Sequence, residues 1–94
     1  MAFVGGTGRL GKVQSVAYTG TAGTISTAIS AGVQTVRIVV TSNAYVAVGV
    51  SPTATTSDTY VPANWPEYIN VMPGEKVSAI QASAGGTLNV TEIP

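Results

Sequence analysis

The densest group of chemistry-bearing residues in this chain is Gly6-Thr7-Gly8-Arg9-Leu10-Gly11-Lys12, which reads both G-x-G-x-x-G and G-x-x-x-x-G-K. Such glycines bind phosphate when a strand delivers them to the N-terminus of a helix, with an acid about 20 residues on for a ribose. Here only Ala2-Phe3-Val4 could form that strand, Val13 to Tyr18 reads as a strand instead of a helix, and the first acid is Asp58. Position 13 is Val where a phosphate loop needs a hydroxyl for magnesium, so the stretch reads as a glycine-rich arm. The acids are Asp58, Glu67, Glu75 and Glu92. A glycosidase needs two carboxyls roughly 5 to 9.5 Å apart across a cleft, and lone acids beside turns are ordinarily solvated charges. With no Cys and no His, thiolate and imidazole metal sites, disulfides, Cys nucleophiles and Ser-His-Asp triads are excluded. Neither a catalytic residue nor a metal or cofactor site is expected. Asn89-Val90-Thr91 is a formal glycosylation sequon inside a predicted strand, and it reads as accidental.

One feature of the side chains is specific. Tyr60, Trp65 and Tyr68 fall within nine residues, interleaved with Pro62 and Pro66. Three readings stay open: a rim over the open end of the fold, a contact patch for another protein chain, and a stacking platform for sugar rings.

The charge balance bounds the partners. Four basic residues (Arg9, Lys12, Arg37, Lys76) and four acidic ones make the 94-residue chain 9% charged with zero net charge, against about 25% charged in an average domain. A surface so poor in charge is expected to be covered in an assembly. It also argues against nucleic acid, whose phosphates need clustered Lys and Arg. No apolar run approaches the ~18 residues of a membrane helix, and MAFVGGTGRLGK lacks the features of a secretory signal, so a soluble protein made in the cytoplasm is expected.

The elements that must position these residues are short strands. Val33 to Val50 reads as a central β-hairpin, with a break at Ser42-Asn43; Val36, Ile38 and Val40 share one face of its first arm, and Val46, Val48 and Val50 one face of its second. Before it come strands at Val13–Tyr18 and Thr24–Ile29. After it come an exposed loop at Ser51–Ser57, strands at Asp58–Pro62 and Glu67–Met72, a type II turn at Pro73-Gly74, and two closing strands at Lys76–Ala82 and Gly86–Ile93. No segment has helical apolar spacing. The expected fold is all-β: one antiparallel β-sandwich or jelly-roll-like barrel of about eight short strands over residues 12–94, preceded by a flexible glycine-rich arm at residues 1–11. Its core should be thin and mostly aliphatic.

From Val36 to Glu92 the chain resembles a family of small tailed-bacteriophage virion proteins of the head decoration or cement type. The likeness lies in VRIVVTSNAYVAVGVSPTAT, then YVPANWPEYINVMPGEKVSAIQ, then AGGTLNVTE, in that order and spacing. The resemblance implies a β-sandwich that binds the major capsid protein on the capsid exterior as a small homo-oligomer, often a trimer, and staples the lattice against internal DNA pressure. No membrane, nucleic acid or small-molecule substrate is implied. The alternative is a carbohydrate-binding or assembly module of a phage tail or fibre, using Tyr60, Trp65 and Tyr68. For the decoration reading the expected interface residues are Phe3, Val4, Arg9 and Leu10 of the arm with Tyr60, Trp65 and Tyr68 of the loop. An eleven-residue arm reaches about 35 Å when extended, far enough to cross to a neighbouring subunit.

Overall fold

The computed structural model describes residues 9–94. Eight strands follow in order: β1 (Val13–Tyr18), β2 (Gly23–Thr24), β3 (Thr35–Val40), β4 (Ala44–Gly49), β5 (Thr59–Val61), β6 (Glu67–Asn70), β7 (Lys76–Gln81) and β8 (Gly86–Ile93). They form two four-stranded antiparallel sheets, β1-β8-β3-β6 and β2-β7-β4-β5. The pairs β1·β8, β2·β7, β3·β6 and β4·β5 are those of one long hairpin folded at the β4–β5 loop and rolled so that its rungs alternate between sheets. This is a jelly roll, one of the two antiparallel arrangements that the strand pattern leaves open.

The central hairpin does not form. β3 pairs with β6 and β8, β4 pairs with β5 and β7, and Thr41-Ser42-Asn43 carries the chain from one sheet to the other. A two-residue hairpin needs positive φ at its turn, and neither Ser42 nor Asn43 has it. Their polar groups go elsewhere: the Asn43 carbonyl accepts from Ala82 N (3.0 Å), and Asn43 Oδ1 accepts from Ala63 N (2.8 Å). The two closing strands separate likewise, β7 into one sheet and β8 into the other.

The core lies between the sheets. Residues directly opposite in a ladder share a face, so Val36, Ile38 and Val40 of β3 point inward with Leu88 and Val90 of β8, and meet Ala44, Val46, Val77 and Ala79 of the other sheet. The predicted inner face of β4 is corrected beyond Val46. Val48 is 38% exposed and Val50 68%, because β5 pairs only with Ala44 to Val46 and leaves the end of β4 uncovered.

Three further expectations change. The second strand shrinks to Gly23–Thr24; Ile25 and Ile29 remain buried, on a segment whose N–H groups reach the Val77 carbonyl (3.1 Å) and the Glu75 carbonyl (2.9 Å) one by one. The Ser51–Ser57 loop is not simply exposed. It folds back on the outer face of β2 and β7, where Ala54 is 2% exposed, its N–H donates to Ser78 Oγ (3.0 Å), and Thr24 Oγ1 lies 3.1 Å from the Pro52 carbonyl and 3.0 Å from Ser78 Oγ. Glu92 is not a solvated charge: it faces inward opposite Val36, is buried, and its Oε2 accepts from both N (2.9 Å) and Oγ (3.0 Å) of Ser30. The Pro73-Gly74 turn forms as expected, with Gly74 at φ 83° and Glu75 N donating to the Met72 carbonyl (3.2 Å).

Among the described residues, Tyr18 is the aromatic member of the core. It is buried, and its hydroxyl both donates to the Ser42 carbonyl and accepts from Ser42 N (3.1 Å), tying β1 to the crossover between β3 and β4. Burial raises its pKa above the ordinary value of 10.0, opposed in part by the bond to Ser42. Tyr18→Phe leaves both Ser42 backbone groups without that partner and is expected to cost about 1–3 kcal/mol. Between the ordinary and the raised pKa the folded chain holds a proton that the unfolded chain has lost. The phenol's contribution is therefore complete below the ordinary value and fades as pH rises through the folded one. Urea unfolding of both proteins at neutral pH and at pH about 11 should show the wild type losing its margin over Tyr18→Phe in alkali.

Candidate functional site

The two edges of the sandwich differ. On the β1/β2 side the sheets close tightly: a Cβ built on Gly23 would lie 2.0 Å from the Ala17 carbonyl oxygen. On the β5/β6 side they part. A cleft of about 420 Å³ opens there, with Ile38, Val46, Val61 and Ile69 as an apolar floor, Val48 at one end, and Ala47, Thr59 and Tyr60 completing the β4–β5 wall.

Two of the four acids stand at this cleft, Asp58 and Glu67. Glu67 opposes Ile38 in the ladder, and Ile69 opposes Val36, so the carboxylate projects from the inner face of β6 together with an aliphatic neighbour. Thr59 opposes Val46 and points the same way from β5. Asp58 is held at the start of β5 by its loop: its Oδ2 accepts from Thr55 N (2.8 Å) and Thr55 Oγ1 (3.2 Å). The result is an apolar slot with an acidic mouth, between two edge strands that each lack a partner on one side. Its size lies in the range of ordinary binding clefts. Such an edge, with its row of free backbone groups, is a ready template for an added extended segment.

The aromatic residues singled out by spacing do not gather. Tyr60 opposes Tyr45 and lies on the outer face of β2-β7-β4-β5, its ring edge-on to Tyr45 with centroids 5.6 Å apart. Tyr68 opposes Arg37 and lies on the outer face of the other sheet. Trp65, 62% exposed, sits on the Pro62–Pro66 connection between them, where Asn64 at φ 60° turns the chain and donates its N–H to the Val40 carbonyl (2.7 Å). Tyr60 and Tyr68 thus face away from each other. The three cannot form one flat platform.

Of the arm residues, Phe3 and Val4 lie outside the described residues. Arg9 is exposed and Leu10 is 72% exposed, while Gly11 N donates to the Glu92 carbonyl (2.7 Å) and so continues the β1·β8 ladder. Val13 then begins β1, so no helix follows the glycine motif to present amides to a phosphate. Asn89 is on β8 with its Oδ1 accepting from Ser15 Oγ (2.7 Å).

One signal in the sequence marks the cleft. Glu67 shares the alternation of Ile69 and Val71, which puts a carboxylate on an apolar face. Comparison with protein-family models, with curated proteins and with solved structures gives no match to this chain.

Proposed function

We propose that the chain is a non-enzymatic structural subunit of a tailed-bacteriophage virion, a decoration or cement protein that binds the major capsid protein on the head exterior as a small homo-oligomer, favouring a trimer. The observation that carries this reading is the outer face of β1-β8-β3-β6. The ladder register places Val13, Ser15 and Ala17, then Thr87, Asn89 and Thr91, then Thr35, Arg37 and Val39, then Tyr68 and Asn70 on that face. Arg37 is its one charge. Side chains there bond to one another, Ser15 to Asn89 and Thr35 to Asn70 (3.3 Å), which leaves a face of mostly small groups around Arg37 and Tyr68. Depletion of charge marks the centre of protein interfaces, whereas a solvated surface is roughly 25–35% charged.

Jelly rolls build viral shells and lectins alike, and the fold by itself assigns neither. The separation of Tyr60 from Tyr68 favours assembly over sugar stacking. The test is native mass spectrometry of the full chain with sedimentation onto shells of its cognate major capsid protein. The expected result is a discrete oligomer that co-sediments, with Val39→Glu on the outer face weakening self-association at least about tenfold. A monomer that leaves the shells unbound would sink the reading.

A further inference from the structure

The cleft between β5 and β6 is not used by the outer-face contacts, and its chemistry points to a particular occupant. We propose that it receives the N-terminal segment of a second copy of this chain, with Phe3 and Val4 seated on Val48 and Ile69 and with Arg9 at the acidic mouth formed by Asp58 and Glu67. The inference deepens the reading of the chain as a self-assembling subunit and rests on it.

Three observations carry it. First, the charges match: Arg9 and Lys12 are two of the four cations, and Asp58 and Glu67 at the mouth are two of the four acids. Second, the eight residues outside the described structure have no charged side chain; they hold the apolar trio Ala2-Phe3-Val4 followed by Gly5-Gly6, a composition suited to an apolar slot. Extended, eight residues span about 26–29 Å, enough to leave one subunit and enter the next. Third, the direction is outward. Gly11 is still held on Glu92, but Arg9 and Leu10 are already exposed, so the chain has left its own body where the β1·β8 ladder ends. β1 and β6 are the opposite edges of their sheet, so the segment's own cleft is across three strand spacings, roughly 14 Å away. Entry into a second copy's cleft links two subunits, which is what the self-assembly reading requires.

The free side of β6 adds a second kind of recognition. An extended segment beside it can pair with its backbone while alternate side chains enter the cleft, the mode in which main-chain bonds give affinity and pockets give specificity.

The chain has no cysteine, so introduced ones report directly. Full-length Phe3→Cys is mixed with full-length Val48→Cys and oxidised under native conditions, with Ser26→Cys, exposed in the segment after β2, as the reference partner. The expected result is a mixed Phe3→Cys/Val48→Cys disulfide in clear excess over the Phe3→Cys/Ser26→Cys product, reduced about three- to fivefold by Glu67→Lys and restored when Arg9→Glu is added to the arm-bearing partner. Equal yields from the two partners, with the oligomer intact by native mass spectrometry, would overturn the docking while leaving self-assembly standing. Closure of the Phe3→Cys, Val48→Cys double variant within a single chain would overturn the second-copy assignment. A wild-type chain that is monomeric would overturn both readings.

Discussion

Gly23→Ala is expected to destabilise the fold by at least about 3 kcal/mol, the upper end of the cost of overpacking a well-filled interior, and to lower the melting temperature by roughly 12–24 °C for a domain of this size. The cause is backbone against backbone. β2 pairs with β7 through Gly23 and Ala79 while its inner side lies on β1, and an added methyl would sit 2.0 Å from the Ala17 carbonyl oxygen and 3.0 Å from its carbon. No side-chain rotation relieves that contact; the two sheets must separate where they now touch. Gly49→Ala is the control, since its nearest neighbour would be Pro52 Cβ at 4.0 Å, and it should stay within about 0.5 kcal/mol of the wild type. Thermal melts of the two variants side by side decide the matter. Equal stability of both would mean that the sheets do not close on the β1/β2 side.

The second large effect separates a sandwich from a flat hairpin. In a hairpin of Val33 to Val50 the residues of the two arms are equivalent, and truncation in either should cost alike. In the rolled structure Ile38 is buried against both sheets and Val50 projects past the end of β4. Ile38→Ala is therefore expected to cost about 2–5 kcal/mol through lost burial and the cavity left behind, and Val50→Ala about 0.5 kcal/mol or less. Urea titrations give both numbers. A large loss at Val50 would overturn the crossover at Thr41-Ser42-Asn43.

Both results bear on function through the same asymmetry. The Gly23 contact closes one edge of the sandwich, and the short strands β5 and β6 leave the cleft open at the other. A truncation meant to remove the arm and spare the sandwich should stop at Gly8, because Gly11 is already part of the ladder through its bond to Glu92. Trimming residues 1–8 leaves that bond in place.

Much of the local structure is legible in the chain. Alternation of Val36, Ile38 and Val40 names a buried strand face, and Pro73-Gly74 names its turn, because both depend on geometry that a few neighbouring residues impose: period-two side chains, and a positive φ that glycine tolerates. Glu92 and Glu67 share the alternation of their aliphatic neighbours and could have been placed inward on that ground. The general habit of acids, to be solvated, pointed the other way. At Glu92 the habit loses because Ser30, far away in sequence, supplies two donors to the carboxylate. The candidate site was the least legible part. Tyr60, Trp65 and Tyr68 are close in number, yet a two-layer fold sends Tyr60 and Tyr68 to opposite outer faces, whereas the cleft draws on β3, β4, β5 and β6 at once.

By itself, then, the sequence determined an all-β chain of eight short strands, its charge poverty, and the exclusion of thiol and imidazole chemistry, since these follow from composition and from spacing within single strands. Only the tertiary structure decided which strands pair, which edge closes, and where the cleft lies. Strand pairing depends on backbone groups that every residue carries, so adjacent strands can form a hairpin or cross between sheets with the same alternation. What chose between them here is non-local: the Tyr18 hydroxyl on Ser42, Asn43 bonded to Ala63 and Ala82, and the bare Cα of Gly23 against Ala17.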